Sequence, residues 1–149
     1  DFIAGVAEQL SPDNDDDHWD LIEGQGSLFH ASYAGVSMGL LHGSQPDALV
    51  MCHEPTRPHM RGLPEYQLPD IGDCIALNEK CAKRVNPAAR VVALSVNTAE
   101  MADEAEAKAY LDKLSEQYGM PAVDPVRIGV GPIVEVLEKE WPRSLAHAS

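Results

Sequence analysis

Two unbroken apolar runs constrain this chain of 149 residues more than anything else in it: "DALVMCHE" (47–54) and "RVVALSV" (90–96). A strand with one wet face alternates apolar and polar side chains. These runs do not alternate, so both of their faces must be covered by other elements. The first is bounded by Pro46 and Pro55. The stretch between the two carries a helical pattern, as a right-handed crossover between parallel strands requires.

The rest of the chain reads consistently with that start. "DFIAGVAEQL" (1–10) has the character of a helix end, and residues 11–18, rich in Ser, Pro, Asn and Asp, form a loop. Trp19 to Glu23 is a short apolar strand. Residues 32–43 place Tyr33, Val36, Leu40 and Leu41 on one helical stripe. Gly35, Gly39 and Gly43 recur every fourth residue, which suits close packing against a neighbour. Residues 55–70 are proline-rich and irregular, and long loops of this kind are often functional.

Ile71, Cys74, Ile75, Asn78, Cys81, Ala82 and Val85 then trace a helical face that Asn86-Pro87 ends. After the 90–96 strand, Asn97 or Thr98 is placed to cap a helix burying Ala107, Tyr110, Leu111, Leu114 and Tyr118, with Gly119 stopping it. "MPAVDPV" (120–126) is a shorter strand, and Pro132 opens a last helix carrying Ile133, Val134, Leu137 and Trp141. The expectation is a single α/β domain. It is a three-layer parallel sheet of four strands with helices on both faces, of the P-loop NTPase-like kind.

Composition narrows the function. A net charge of −13 argues against a nucleic-acid partner, which needs a basic surface to neutralise phosphates. No apolar stretch reaches the roughly 20 residues of a membrane span, and no signal peptide is visible. Three cysteines without a CxxC pair read as reduced thiols, so the expected setting is the cytoplasm.

Ligands of open parallel sheets bind beyond the carboxyl ends of the strands. There the chain places Glu23-Gly24-Gln25-Gly26-Ser27, His53-Glu54 with Arg57, Ser95 with Asn97 and Thr98, and Asp124 with Arg127. Parallel strands would bring all four groups to one edge. Glu23 can hold Mg²⁺, act as a general base, or be an ordinary loop carboxylate bonded to nearby amides. Its glycine neighbours permit close approach of a ligand, but Phe29 stands where the longer Gly-x-Gly-x-x-Gly pattern needs a third glycine.

His53 suits a base or an anion donor, and Arg57 and Arg61 suit a carboxylate or phosphate. His42 at a helix end and His30 in a loop are weaker candidates. Asp15-Asp16-Asp17-His18 is either a solvated loop or a cation-binding tract. No Gly-x-x-x-x-Gly-Lys-Ser/Thr and no Gly-x-Ser-x-Gly occurs, so neither a phosphate loop nor a serine nucleophile elbow lies in this chain.

Taken together, "DDDHWDLIEGQGSLFHASYAGVSMGLLHGSQPDALVMCHEPTR", "VVALSVNT" and "VDPVR" resemble a bacterial family first catalogued as a domain of unknown function. That family includes D-glutamate N-acetyltransferases, and other members carry labels such as NAD-dependent epimerase/dehydratase. The resemblance runs from about Asp1 to Trp141. It implies an upstream Rossmann-like domain followed by a P-loop-type domain, of which this chain would be most, without its phosphate loop.

"DLIEGQGSL" is also similar to the strand-Glu-Gly-x-Gly segment of dethiobiotin-synthetase-like proteins, which implies Glu23 near Mg²⁺ and nucleotide, with Gly24 to Ser27 lining the site. The leading expectation is transfer of an acetyl group from acetyl-CoA to the amine of an acidic D-amino acid. Glu23 or His53 would be the base and Arg57 the substrate-carboxylate holder, with Glu54, Asn97, Asp124 and Arg127 around them. The alternatives are a ligase or NTPase using Mg²⁺ and ATP, and a non-catalytic regulatory domain. A homo-oligomer acting on a small molecule, with no membrane partner, completes the expectation.

Overall fold

The computed structural model describes residues 2–15 and 18–142. Asp16 and Asp17, from the acidic tract, and His147 lie outside the described residues. Eight elements follow in order: α1 (Phe2–Leu10), α2 (Ala34–Ser44), β1 (Ala48–His53), α3 (Ile71–Ala82), β2 (Arg90–Val96), α4 (Glu104–Tyr118), β3 (Ala122–Val123) and α5 (Gly131–Glu140). The strands pair in parallel in the order β1-β2-β3.

β2 is central and apolar on both faces, so it carries the core. On one side Leu94 and Val96 pack with Ile71 of α3 and with Leu111 and Leu114 of α4. On the other, Val92 and Ala93 pack with Val123 and with Ile133 of α5. The two clusters make the three layers that the unbroken runs predict. Strict alternation would put Val92 on the same face as Leu94. It does not lie there because Leu49 pairs with Val91 while the next residue, Val50, pairs with Ala93, leaving Val92 as an extra residue that switches the facing of the strand.

A third cluster joins Leu41 of α2 to Ala82 and Ala89, and α1 lies against α2. The glycine spacing explains how closely. A Cβ on Gly39 would meet Ile3 Cβ at 3.0 Å, and one on Gly43 would overlap the Ala4 carbonyl oxygen and stand 2.7 Å from Ala7 Cβ. His42 Nε2 donates to the Cys81 carbonyl at 3.1 Å, tying α2 to α3 rather than serving a site.

Two expectations about elements are corrected. Trp19 to Glu23 forms no strand: Trp19 is half-buried and Asp20 to Glu23 are exposed, with Leu21 88% and Ile22 44% accessible. Apolar content alone does not make a strand. Its amides and carbonyls need a neighbouring strand, and none among the described residues pairs with this segment. The sheet of the described residues therefore has three strands where four were expected. The α4 cap is also displaced. Asp103, not Asn97 or Thr98, is the N-cap, its carboxylate accepting from Ala105 N–H at 2.8 Å. Gly119 does end α4, with φ +65° and its N–H bonded to the Ser115 carbonyl.

Candidate functional site

Because all three strands are parallel, their carboxyl ends open on one edge. There a hollow of about 410 Å³ is bordered by Cys52, His53, Glu54, Arg57, Ser95, Asn97, Asp124, Pro125 and Val126. Of the residues predicted from sequence, the structure gathers His53, Glu54, Arg57, Asn97 and Asp124 here, and Arg127 sits immediately behind Asp124. Glu23, Gly24, Gln25, Gly26 and Ser27 are not among the bordering residues. Glu23 to Gly26 lie in the exposed stretch before α2, and the Ser27 hydroxyl accepts from Phe29 N–H at 3.1 Å. The convergence holds for three strand ends. The fourth group does not border the hollow, and the strand expected to carry it has no pairing among the described residues.

His53 ends β1 half-buried. Its Nε2 lies 3.2 Å from the Tyr110 hydroxyl of α4, the two rings meeting end to end with centroids 6.5 Å apart and planes 25° from parallel. Among the described residues no hydrogen-bond partner is recorded for Nδ1. Burial lowers the imidazole pKa below its ordinary value, and the nearby Glu54 and Asp70 carboxylates only partly offset that. A neutral imidazole at neutral pH can accept a proton. Cys52 is exposed beside it, yet the protein packed around the thiol partly desolvates it and raises its pKa, which makes it a poor nucleophile.

Arg57 and Glu54 form an ion pair across the turn that follows β1, at the rim. Glu54 engages only Nη2, so a ligand carboxylate would meet the remaining N–H donors of a guanidinium whose charge is already partly offset. Asn97 Oδ1 accepts from Ala99 N–H at 3.0 Å, which orients the amide and aims Nδ2 as a donor. Asp124 is committed differently. One carboxylate oxygen accepts from Thr98 N–H at 2.9 Å and from the Thr98 hydroxyl, and the other accepts from Val126 and Arg127 N–H at 2.9 and 3.2 Å. Arg127 in turn donates to the Thr98 and Met101 carbonyls at 3.1 and 3.0 Å. This pair locks the loops after β2 and β3 to each other and shapes one wall of the hollow.

Burial would raise the Asp124 pKa, but the hydrogen bonds from Thr98, Arg127 and Val126 outweigh it and hold the group down at about 2 against an ordinary 3.8. A carboxyl pKa lower in the folded than in the unfolded chain stabilises fully above the unfolded value. The contribution disappears as pH falls through the folded one. Asp124 is thus expected to contribute at most about 2 kcal/mol at neutral pH and to lose it between roughly pH 4 and pH 2. Acid unfolding followed by circular dichroism checks this: in Asp124→Asn that part of the pH dependence should be missing.

Sequence reasoning placed Tyr110 only on the buried face of α4. Its signal was the hydroxyl, which needs a polar partner wherever a tyrosine is buried. Of the remaining histidines, His30 is buried. Its Nδ1 accepts from Ser32 N–H at 3.1 Å and its Nε2 donates to the Arg61 carbonyl at 3.0 Å, which pins the proline-rich loop. Among the described residues no group of three or more His, Cys, Asp or Glu side chains is arranged to hold a metal ion, and no helix is long and apolar enough to cross a membrane.

Comparison with known proteins follows the same outline. A family profile described as a domain of unknown function (DUF1611_C), P-loop domain, matches residues 1–134. The chain is 56% identical over 137 residues to a protein of Tritonibacter scottomollicae named D-glutamate N-acetyltransferase, covering 92% of this chain and 41% of that protein. It is 54% identical over 134 residues to a Pseudoalteromonas protein of the same name, covering 90% of this chain and 40% of that one. Among solved structures, a DUF1611 family protein from Anabaena variabilis superimposes with a TM-score of 0.78 at 31% identity, over 91% of this chain and 40% of that one. The chain thus spans about 40% of the length of these relatives.

Proposed function

The chain belongs to the DUF1611 family through its C-terminal P-loop domain, and on that premise we propose that it is the C-terminal part of a longer acetyltransferase. The whole protein moves an acetyl group from acetyl-CoA to the amine of an acidic D-amino acid of the D-glutamate kind. What carries the reading is 54–56% identity, across nine-tenths of this chain, to two relatives named for that activity. An upstream Rossmann-like domain, a cytoplasmic setting and a homo-oligomeric assembly belong to the same reading.

The hollow supplies groups of the required kinds. Its volume of about 410 Å³ suits an amino acid with the acetyl-thioester end beside it, while the bulk of CoA lies outside. As the amine nitrogen bonds to the thioester carbonyl carbon, His53 takes the proton that the nitrogen sheds. The Asn97 amide donates to the carbonyl oxygen as negative charge develops there. The C–S bond then breaks, CoA leaves as the thiol once that proton is returned, and the amide remains. Arg57 holds a substrate carboxylate through its remaining N–H donors.

The test is an assay of the whole protein with acetyl-CoA and a panel of D- and L-amino acids. Acceptor-dependent release of free CoA, strongest with D-glutamate, is expected. CoA that never rises above the no-acceptor control refutes the reading.

A second reading rests on one observation, the P-loop description of the family. It makes the whole protein a Mg²⁺- and ATP-dependent ligase or NTPase, with Glu23 placing the metal ion and Gly24 to Ser27 beside the nucleotide. Mg²⁺-dependent ATP binding that is lost in Glu23→Ala would favour it.

A further inference from the structure

We infer that Tyr110 is a positioning residue for His53: its hydroxyl holds Nε2 through the whole proton cycle and leaves Nδ1 as the ring atom that exchanges a proton with substrate. The inference rests on the acetyl-transfer reading for its chemistry, and on the contact between α4 and the end of β1 for its geometry. The hydroxyl is 3.2 Å from Nε2, and the two rings lie 25° from parallel. The phenol meets the imidazole end-on, its hydroxyl against Nε2 with the ring centroids 6.5 Å apart, so it is the hydrogen bond that restrains the ring and fixes where Nδ1 points.

A phenol is suited to this place because a hydroxyl both donates and accepts. It can face Nε2 whether or not that atom carries a proton, whereas a carboxylate would fix one tautomer and a backbone N–H the other. While Nδ1 is bare, Nε2 carries the proton and donates to the phenol oxygen. When Nδ1 gains a proton, the same bond remains and becomes charge-assisted. Burial, with a smaller effect from Tyr118, raises the Tyr110 pKa, so the phenol stays protonated where an imidazole titrates.

The other titratable or charged groups around this pair are Cys52, Glu54 and Arg57 from β1 and the loop after it, Asp70 at the start of α3, Tyr118 at the end of α4, and Asp124 after β3. Glu54 and Asp70 favour the imidazolium, and both remain in a Tyr110 variant. A change seen in that variant therefore reports the hydroxyl.

Tyr110→Phe in the whole protein keeps the ring and removes only that group. Loss of the charge-assisted bond costs the imidazolium more than the neutral ring. The His53 pKa, read from histidine NMR, is therefore expected to fall by roughly half to one pH unit. The nitrogen shifts of His53 should show loss of the single tautomer, and kcat should drop about tenfold with KM within about twofold. The rising limb of kcat/KM against pH should move to lower pH along with the NMR titration.

A His53 pKa and tautomer that stay at their wild-type values in Tyr110→Phe overturn the inference, whatever turnover does. Absence of CoA release by the wild-type protein refutes the acetyl-transfer reading instead, and the NMR titration still decides whether Tyr110 governs His53.

Discussion

His53→Ala in the whole protein is expected to lower kcat for acetyl transfer by about 10²–10⁴-fold, the usual contribution of a positioned acid–base group, and to change KM little. The asymmetry follows from the placement of the groups. On the proposed reading, substrate binding rests on Arg57 and the other residues bordering the hollow, which the substitution leaves in place, whereas proton removal is felt only as the new N–C bond forms. His53 is half-buried at a strand end and bonded to one side chain, so its loss should be tolerated by the fold. An unchanged melting temperature beside the lost rate separates catalysis from stability. A kcat within about threefold of wild type would remove His53 from the mechanism.

Leu94→Ala is expected to have the largest effect on stability, about 2–5 kcal/mol. Leu94 is fully buried in the central strand and touches the layer formed by α3 and α4, through Ile71, Leu111 and Leu114. Contraction around the missing atoms is hindered because β2 is held on both sides by parallel partners. Urea denaturation measures the effect as a lower midpoint at unchanged slope. A loss under about 1 kcal/mol would mean that the core closes over the gap, contrary to a rigid central strand.

What the sequence made readable, and what it did not, divides along physical lines. β2 was legible because a run apolar on both faces has few places to lie other than inside a covered sheet; β1 is a strand as expected, but at the sheet edge it is not covered on both faces, and Val50 and Cys52 are exposed. The end of α4 was legible because Gly119 takes a left-handed backbone that few other residues adopt readily. Trp19 to Glu23 misled for the complementary reason: its composition is that of a strand, but strand formation depends on a neighbour, which no local pattern reports.

The extra residue at Val92 was equally invisible, since a bulge is a property of two strands in register. The start of α4 was read too early because Asn97 and Thr98 follow β2 directly. Both are used there for other purposes, Asn97 bonded to Ala99 N–H and Thr98 to Asp124.

The site divides in the same way. Parallel topology was enough to bring His53, Arg57, Asn97 and Asp124 to one edge, because each follows a strand that exists. It could not separate a free side chain from a committed one. Asp124 and Arg127 were read as ligand holders; in the structure they face each other at 3.9 Å and bond to backbone groups and the Thr98 hydroxyl that close the adjoining loops. Tyr110 looked like core, yet its polar tip reaches the imidazole. Glu23 depended on a strand that does not form among these residues.

The most direct test of the central claim is a histidine-resolved NMR titration of the whole protein with D-glutamate in the presence of a non-reactive acetyl-CoA analogue. The account predicts that the His53 signals move saturably, with the affinity seen in the kinetics. The His42 signals, whose ring is tied to the Cys81 carbonyl between α2 and α3, should stay still. Saturable binding in a protein that transfers acetyl groups while the His53 signals remain stationary would place the chemistry elsewhere and contradict the account.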